Sequence, residues 1–331
     1  MSELIVSAVF APSLRTPDHI ALAEQLGYER AWCFDSPALY ADVWMVLARA
    51  AAITDRIGLG PGVLVPSLRH PMVTASAIAS LEAWAPGRVS VALGAGLTGR
   101  MAMGQKPMRW SEVDDHVRVL CSLLAGDVCE WEGEPIALLQ GRNFGAARPV
   151  DVPIIIGADG PKGFEVAERH ADGVISPVSS RVGGATQFAH RIVLAWGTVL
   201  DEGETLVDQR VIDATEPGLA VMYHLAHRNG PEAIDALPGG DRFRAAADSV
   251  GPRSLHLALH EGHFVAPNAL DGFPPEAYET LLPKVSLTGD PARVRERLER
   301  FAGQGVTEVA YQPIGPDIER ELEAFAEVAL G

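Results

Sequence analysis

Residues Gly58–Gly99 constrain the fold more than any other stretch. An apolar run ends in a Gly-Pro-Gly break at Gly60–Gly62, and a loop carrying Arg69, His70 and Pro71 comes next. An Ala-rich helical pattern over Met72–Trp84 then leads to a second apolar run, Val89–Leu93, which closes in the glycine-rich turn Gly94–Gly99. This is a strand–loop–helix–strand unit whose polar and glycine residues collect after the strands. In parallel α/β folds the carboxyl ends of the strands carry the ligands. The segment therefore points to a fold class and to the end of it that holds a site.

Similar units recur along the chain. Leu4–Phe10 reads as a strand, Pro17–Leu26 as a helix closed by Gly27, and Arg30–Phe34 as a second strand ending at Asp35-Ser36-Pro37. Val43–Ile53 is helical and Ile57–Leu59 is the third strand, while a polar helix covers Ser111–Leu124. Pro153–Ile156 is a strand ending in Gly157-Ala158-Asp159-Gly160-Pro161; the helix Lys162–His170 and the strand Gly173–Ser176 come after it. Further on, Gln187–Leu200 is expected to be helical and Val207–Ile212 to be a strand. Asp290-Pro291 caps a helix through Phe301, Thr307–Tyr311 is a last strand and Ile318–Leu330 a last helix. Six to eight βα units without a long polar linker favour a (β/α)₈ TIM barrel over a doubly wound sheet. The expected organisation is one domain over 1–331, with insertions at about 128–149 and within 213–283.

Composition narrows the partners. Of 331 residues, 47% are hydrophobic, enough for a large core, and the net charge of −16 argues against nucleic acid and anionic membranes. No run approaches the ~18 apolar residues of a membrane span. The N-terminus carries an acid and lacks a basic leader region, and three cysteines lack metal or redox spacing, so a cytoplasmic protein is expected. Arg56, Arg69, Arg88, Arg100, Lys106 and Arg109 stand against the single acid Glu82, a local excess that either attracts an anionic ligand or serves the structure.

Gly94-Ala95-Gly96-Leu97-Thr98-Gly99 matches the GxGxxG pattern of dinucleotide sites. It comes after the fourth strand rather than the first, the residues after it (Arg100–Trp110) open no convincing helix, and no strand-ending acid lies about 20 residues on. What survives is that close glycines let backbone N–H groups approach a phosphate or a flat ring. The turn Ala158–Lys162 opens a helix and offers N–H groups and a lysine charge to an anion. Asp35 and Ser36 sit at a strand end where barrels place catalytic groups. His256, His260, Glu261 and His263 cluster in SLHLALHEGHFV, but HEGH lacks the spacing of a zinc helix, so no metal is expected.

Four segments carry a family resemblance: Ala23–Pro37, Arg56–Gly96, Val152–Ile175 and Leu287–Val309. In these the chain resembles the bacterial luciferase-like oxidoreductases, and within them the deazaflavin-dependent branch typified by methylenetetrahydromethanopterin reductase. The resemblance implies a barrel with coenzyme F420, or alternatively FMN, over its C-terminal mouth. It implies a non-prolyl cis peptide at Gly62–Val63 supporting the ring, with Asp35, Gly94, Ala95, Gly96, Thr98, Ala158, Asp159, Gly160, Pro161 and Lys162 lining the cofactor. Several relatives place a proton-transferring histidine directly after the strand-two aspartate, where this chain has Ser36. Asp35, Ser36, His260 and Glu261 are therefore the candidates for catalysis. The expected activity is hydride transfer between F420 and a C=C, C=N or C=O bond of a small molecule, in a homodimer. Alternatives are a reduced-FMN monooxygenase using O₂ and a non-catalytic flavin-binding barrel.

Overall fold

A computed structural model describes residues 4–331; the leader reading at residues 1–3 lies outside them. Eight parallel strands form the barrel: β1 (Ile5–Phe10), β2 (Arg30–Cys33), β3 (Gly58–Pro61), β4 (Val91–Gly94), β7 (Ile154–Gly157), β8 (Gly173–Ser176), β9 (His190–Trp196) and β10 (Glu308–Gln312). The antiparallel hairpin of β5 (Cys129–Trp131) and β6 (Glu134–Ile136) lies within residues 128–149, outside the barrel sheet. The ladder runs β3-β2-β1-β10-β9-β8-β7-β4. Between β3 and β4 the ring is joined by the bridges Leu59–Val89 and Leu64–Leu93, which flank a bulge at Pro61–Val63.

Side chains alternate along each strand, so every second residue fills the barrel. Val9, Trp32, Ala92, Ile155, Ile175, Ile192 and Ala310 make the central layer. Trp32 is by far the largest of these, and its space comes from β3. A Cβ on Gly60 or on Gly62 would lie 2.9 Å from its ring. One step down, Glu308 plugs the amino-terminal end, accepting from Ser7 Oγ (2.7 Å), Trp32 Nε1 (2.9 Å) and Arg30 Nη1 (2.5 Å). That end is filled, which leaves the carboxyl end as the open mouth.

Two expectations between 181 and 283 fail. Gln187–Leu200 is not a helix; its centre, His190–Trp196, is the barrel strand β9. Its apolar residues show no alternation because β9 is covered on both faces, and periodicity cannot then separate strand from helix. Val207–Ile212 is not a strand; it runs into the 20-residue helix Gln209–Arg228, which Asp208 precedes as N-cap residue. This helix, with Gly240–Val250, Leu255–His260 and Pro275–Val285, forms a helical cover with its own core of Leu219, Tyr223, Phe243, Ala277, Tyr278 and Leu282. Gly218 rests on Trp196 at the end of β9, which fixes the cover to the barrel.

The cover contains a buried carboxyl pair. Glu216 accepts from Gly272 N (2.7 Å), and Asp271 accepts from Asn268 N (2.8 Å) through one oxygen while the other has no partner. Burial, with a contribution from Glu216, pushes Asp271 up to about 6. The folded state thus holds a proton more tightly than the unfolded chain, and stability falls as pH rises from about 4 through 6. Asp271→Asn is expected to stabilise the protein above pH 7 by up to about 3 kcal/mol and to flatten this part of the pH profile. Urea unfolding at pH 5 and pH 8 checks it; an equal or lower midpoint for the variant at pH 8 would refute the assignment.

Candidate functional site

The mouth is built from the loops that leave the carboxyl end of each strand. After β3 the chain makes the cis peptide Gly62–Val63 that the family resemblance implies. Val63 then projects over the ends of β4 and β7. Cβ atoms on Gly94 and Gly157 would each lie 2.9 Å from a Val63 methyl carbon, so those two glycines make the room for it. Val63 is half-buried and clusters with Phe34 and Leu194 at the top of the barrel interior. These residues give the mouth an apolar floor. Gly157→Ala is expected to cost about 1–3 kcal/mol by overpacking, with Val63→Ala in the same chain restoring much of it. Thermal melts of the single and double variants test this; additive losses would show that Val63 is not the obstructing group.

Asp35 holds this floor in place. It is 3% exposed, and its Oδ2 accepts from Val65 N (3.1 Å) and Arg69 Nη1 (2.7 Å), while Arg69 Nη2 reaches Asp42 (3.0 Å). Burial raises the Asp35 carboxyl above its ordinary value, and the Arg69 guanidinium opposes that shift. The aspartate ties the end of β2 to the segment that carries Val63 and Val65. Ser36 is buried beside it, and its carbonyl accepts from Leu39 N (2.8 Å) and Tyr40 N (3.0 Å).

The glycine turns stand on one side of the mouth. Gly96 precedes the short helix Leu97–Met101, and Ala95 accepts from Met108 N (2.8 Å). Ala158 donates to the Ile175 carbonyl (3.1 Å), Asp159 bonds Ser176 Oγ, and Gly160 caps the helix Pro161–His170 with Pro161 and Lys162 exposed. Pro161 supplies no N–H at this helix start, and the Gly163 and Phe164 N–H groups donate to the Gly160 carbonyl (3.0 and 3.2 Å). The basic cluster between Arg56 and Arg109 is largely structural. Arg88 serves Thr54 and the Ile57 carbonyl, Arg100 the Lys106 carbonyl and Ser67, and Arg109 pairs with Glu112.

The helical cover sends a histidine to the mouth, though not either of the favoured candidates. Glu261 is exposed. His260 is buried with its Nδ1 2.7 Å from the His256 carbonyl. His263 instead lies with Nε2 3.5 Å from Thr98 Oγ1 in the Gly94–Thr98 turn, and Tyr40 Oη donates to its carbonyl (2.7 Å). Its neighbour Phe264 sits 6.0 Å from Phe34 on the floor, ring centre to ring centre. His263 stacks on His224 and flanks His260, at 6.0 and 5.4 Å. Burial, then the neighbouring imidazoles, lowers His224 and His263 to about 3, so both are neutral in ordinary buffers. Stacked rings do not converge on a common point, and among the described residues no group of three or more His, Cys, Asp or Glu is placed to hold a metal.

Sequence reasoning missed Gln312 and the partnership of Arg69 with Asp35. Gln312 was legible as the polar residue two steps beyond Ala310 on an inward-facing row; the Arg69 contact was not, because it spans 34 residues and depends on the loop after β3.

Known proteins resemble the chain over nearly its whole length. The luciferase-like monooxygenase family profile matches residues 11–192. The chain is 29% identical to 5,10-methylenetetrahydromethanopterin reductase of Methanopyrus kandleri over 92% of this chain and 90% of the relative. It is 27% identical to an F420-dependent glucose-6-phosphate dehydrogenase of Beutenbergia cavernae, over 94% and 91% respectively. The solved structure of the coenzyme F420-dependent tetrahydromethanopterin reductase from Methanopyrus kandleri superposes with a TM-score of 0.68 at 24% identity, covering 99% of each chain.

Proposed function

The chain belongs to the luciferase-like monooxygenase family, and on that footing we propose that it is an F420-dependent oxidoreductase acting on a small organic molecule. The observation that carries this reading is the similarity, over nearly the full length of both chains, to a methylenetetrahydromethanopterin reductase and to an F420-dependent dehydrogenase. The residues present suit a deazaflavin. Val63, Phe34 and Leu194 offer a flat apolar support, the Gly94–Thr98 turn offers backbone at close range, and Lys162 at the start of helix Pro161–His170 offers a positive charge to the tail.

When bound, the deazaflavin would supply or accept the hydride. The protein's own part is orientation. Asp35 fixes the loop that presents Val63, and the helical cover excludes water above it, so that a substrate is held at reacting distance with little freedom left to lose. Candidate roles for Asp35 and Ser36 are then positional: Asp35 through Arg69 and Val65, Ser36 through the turn that places Tyr40. A cytoplasmic homodimer is the assembly we assign. Exposed Met45, Val73 and Trp84 on the helices Val43–Ala51 and Pro71–Trp84, and three free cysteines, support it. Among the described residues no helix is long and apolar enough to cross a membrane.

Titration of the purified chain against F420 and against FMN tests the cofactor assignment. Saturable quenching of F420 fluorescence with a matching rise in Tm is expected, since a ligand of the native state alone stabilises it. Tight binding of FMN with no response to F420 would overturn it. Sedimentation velocity reads the dimer.

A further inference from the structure

Among the buried atoms without a partner, the Gln312 amide nitrogen, at the end of β10 above Ala310 of the central layer, belongs to the mouth. Arg297 Nε is another, and it lies outside the mouth, where the helical cover rejoins the barrel. There the chain leaves helix Pro275–Val285 and returns beside the end of β9. Leu287 N donates to the Trp196 carbonyl (2.7 Å), Gly289 N to that of Thr198 (3.2 Å) and Leu200 N to that of Gly289 (2.9 Å). Helix Pro291–Gly303 starts directly afterwards. Between the two helices opens a cleft of about 350 Å³, walled by Pro283, Lys284, Arg293, Glu296, Arg297 and Arg300.

Arg293, Arg297 and Arg300 are spaced four and three residues apart, so one face of the helix carries all three guanidinium groups. Gly289 makes room for the first of them: a Cβ there would lie 2.5 Å from Arg293 Cδ. In a chain of net charge −16, four cations meet here against the single acid Glu296. Among the described residues none of the four forms an ion pair. Arg293 Nη2 and Arg297 Nη1 both donate to the Pro283 carbonyl (2.9 and 2.8 Å), and Arg297 Nη2 reaches the Lys284 carbonyl (3.4 Å). This caps the last turn of the cover's final helix and uses part of each fork. The exposed Arg300 and Lys284 side chains take no share in it. Burial, then the Arg300 and Arg293 charges, lowers the Arg297 pKa below its ordinary value, with Glu296 opposing. Capping a helix end does not call for four cations; a cleft that gathers them with donors to spare suits an anion.

We propose that this cleft is a binding site for a diphosphate group. A guanidinium fork meets phosphoryl oxygens two at a time. Four cations and one acid leave a net charge of three, more than the roughly −1.5 to −2 of one phosphoryl group at pH 7; two such groups balance it. The walls hold no aromatic side chain on which a base could stack, so the diphosphate is recognised without a nucleoside. Its oxygens bridge the end of the cover to the barrel helix Pro291–Gly303. The site is independent of the F420 reading and stands if that reading falls.

Calorimetry of the purified chain at low ionic strength tests it, with pyrophosphate, sulfate and ADP as probes. Pyrophosphate is expected to bind about tenfold more tightly than sulfate, and ADP no more tightly than pyrophosphate. Lys284→Gln with Arg300→Gln removes two cations that make no capping bond, so Tm without ligand should hold while pyrophosphate weakens about tenfold. Arg297→Gln should weaken it as well. Saturation with F420, or Lys162→Gln at the mouth, should leave the pyrophosphate Kd within about twofold, because those groups lie elsewhere. Hydrogen exchange should slow over residues 283–300 when pyrophosphate binds. No saturable heat, equal affinity for sulfate, tighter binding of ADP, or a loss that follows Lys162→Gln and not the Lys284→Gln, Arg300→Gln pair would overturn the proposal.

Discussion

Asp35→Ala is expected to lower the stability of the protein by about 3–5 kcal/mol and to weaken F420 uptake by more than tenfold. Asp35 has 1% of its side chain exposed and Arg69 14%. Removing the carboxylate leaves a largely buried guanidinium with only Asp42 beside it and strips Val65 N of its acceptor. The loop after β3 would then be free to move, and with it Val63, the support proposed for the ring. Arg69→Met alone should be similarly harmful. The double variant Asp35→Leu, Arg69→Met should recover part of the stability, because apolar replacement of both partners removes the stranded charge. Urea unfolding gives the stability and F420 fluorescence the affinity. A single variant within about 1 kcal/mol of the parent, with an unchanged Kd, would show that the pair is ornamental.

Acid should release the helical cover before the barrel. His224 and His263 are held at about 3 against an ordinary 6.5, chiefly by burial. Below pH 6.5 the unfolded or opened segment takes up protons that the closed one refuses. The stability these rings contribute is full above pH 6.5 and is lost as the pH falls toward 3. At pH 5, about 1.5 units below the ordinary value, the two rings together would remove up to about 4 kcal/mol. The Asp271 carboxyl acts in the opposite sense between pH 4 and 6 and blunts part of the loss. Facing the two rings are His227, His260, Phe243 and Phe264, with Thr98 from the barrel, so no carboxylate within the stack compensates the incoming charge. Hydrogen exchange at pH 7 and pH 5 reads the outcome by segment. Protection over residues 209–285 should fall by at least tenfold while β1, β2 and β10 keep theirs. His224→Leu should reduce the difference. Uniform loss across barrel and cover would mean that the cover is not a separate unit of stability.

The barrel was legible because its βα units repeat. Glycine, Pro and Asp marked the ends of β2, β3, β4 and β7, and a missed strand at β9 did not disturb the count enough to change the architecture. The same repetition failed in the cover. There the helices pack on one another rather than on the sheet, and short apolar runs such as Val207–Ile212 carry no period that distinguishes strand from helix start. The candidate site divides in the same manner. Asp35, Gly94 and Gly157 could be placed because they sit at strand ends, where chain position fixes spatial position, and Gly62 and Val63 because the family resemblance implied them. Among His256, His260, Glu261 and His263 the sequence reading favoured His260 and Glu261, but a shift of one residue in the turn after Leu255–His260 decides which ring reaches Thr98.

The sequence by itself thus determined the repeated βα units, a parallel sheet for which a barrel was favoured, and the glycine turns at the strand ends, including the Gly58–Gly99 unit that most restricted the fold; the bridges that close the ring between β3 and β4 are seen only in the structure. Those arise from short apolar runs, local propensities and turn signals, which act over a few residues. Only the tertiary structure decided that Asp35 is a clamp on Arg69 and Val65, that His263 rather than His260 or Glu261 meets the barrel, and that Gln312 stands unpartnered in an apolar floor. Each of these depends on groups tens to hundreds of residues apart in the chain, and burial there is set by how the cover settles on the strands.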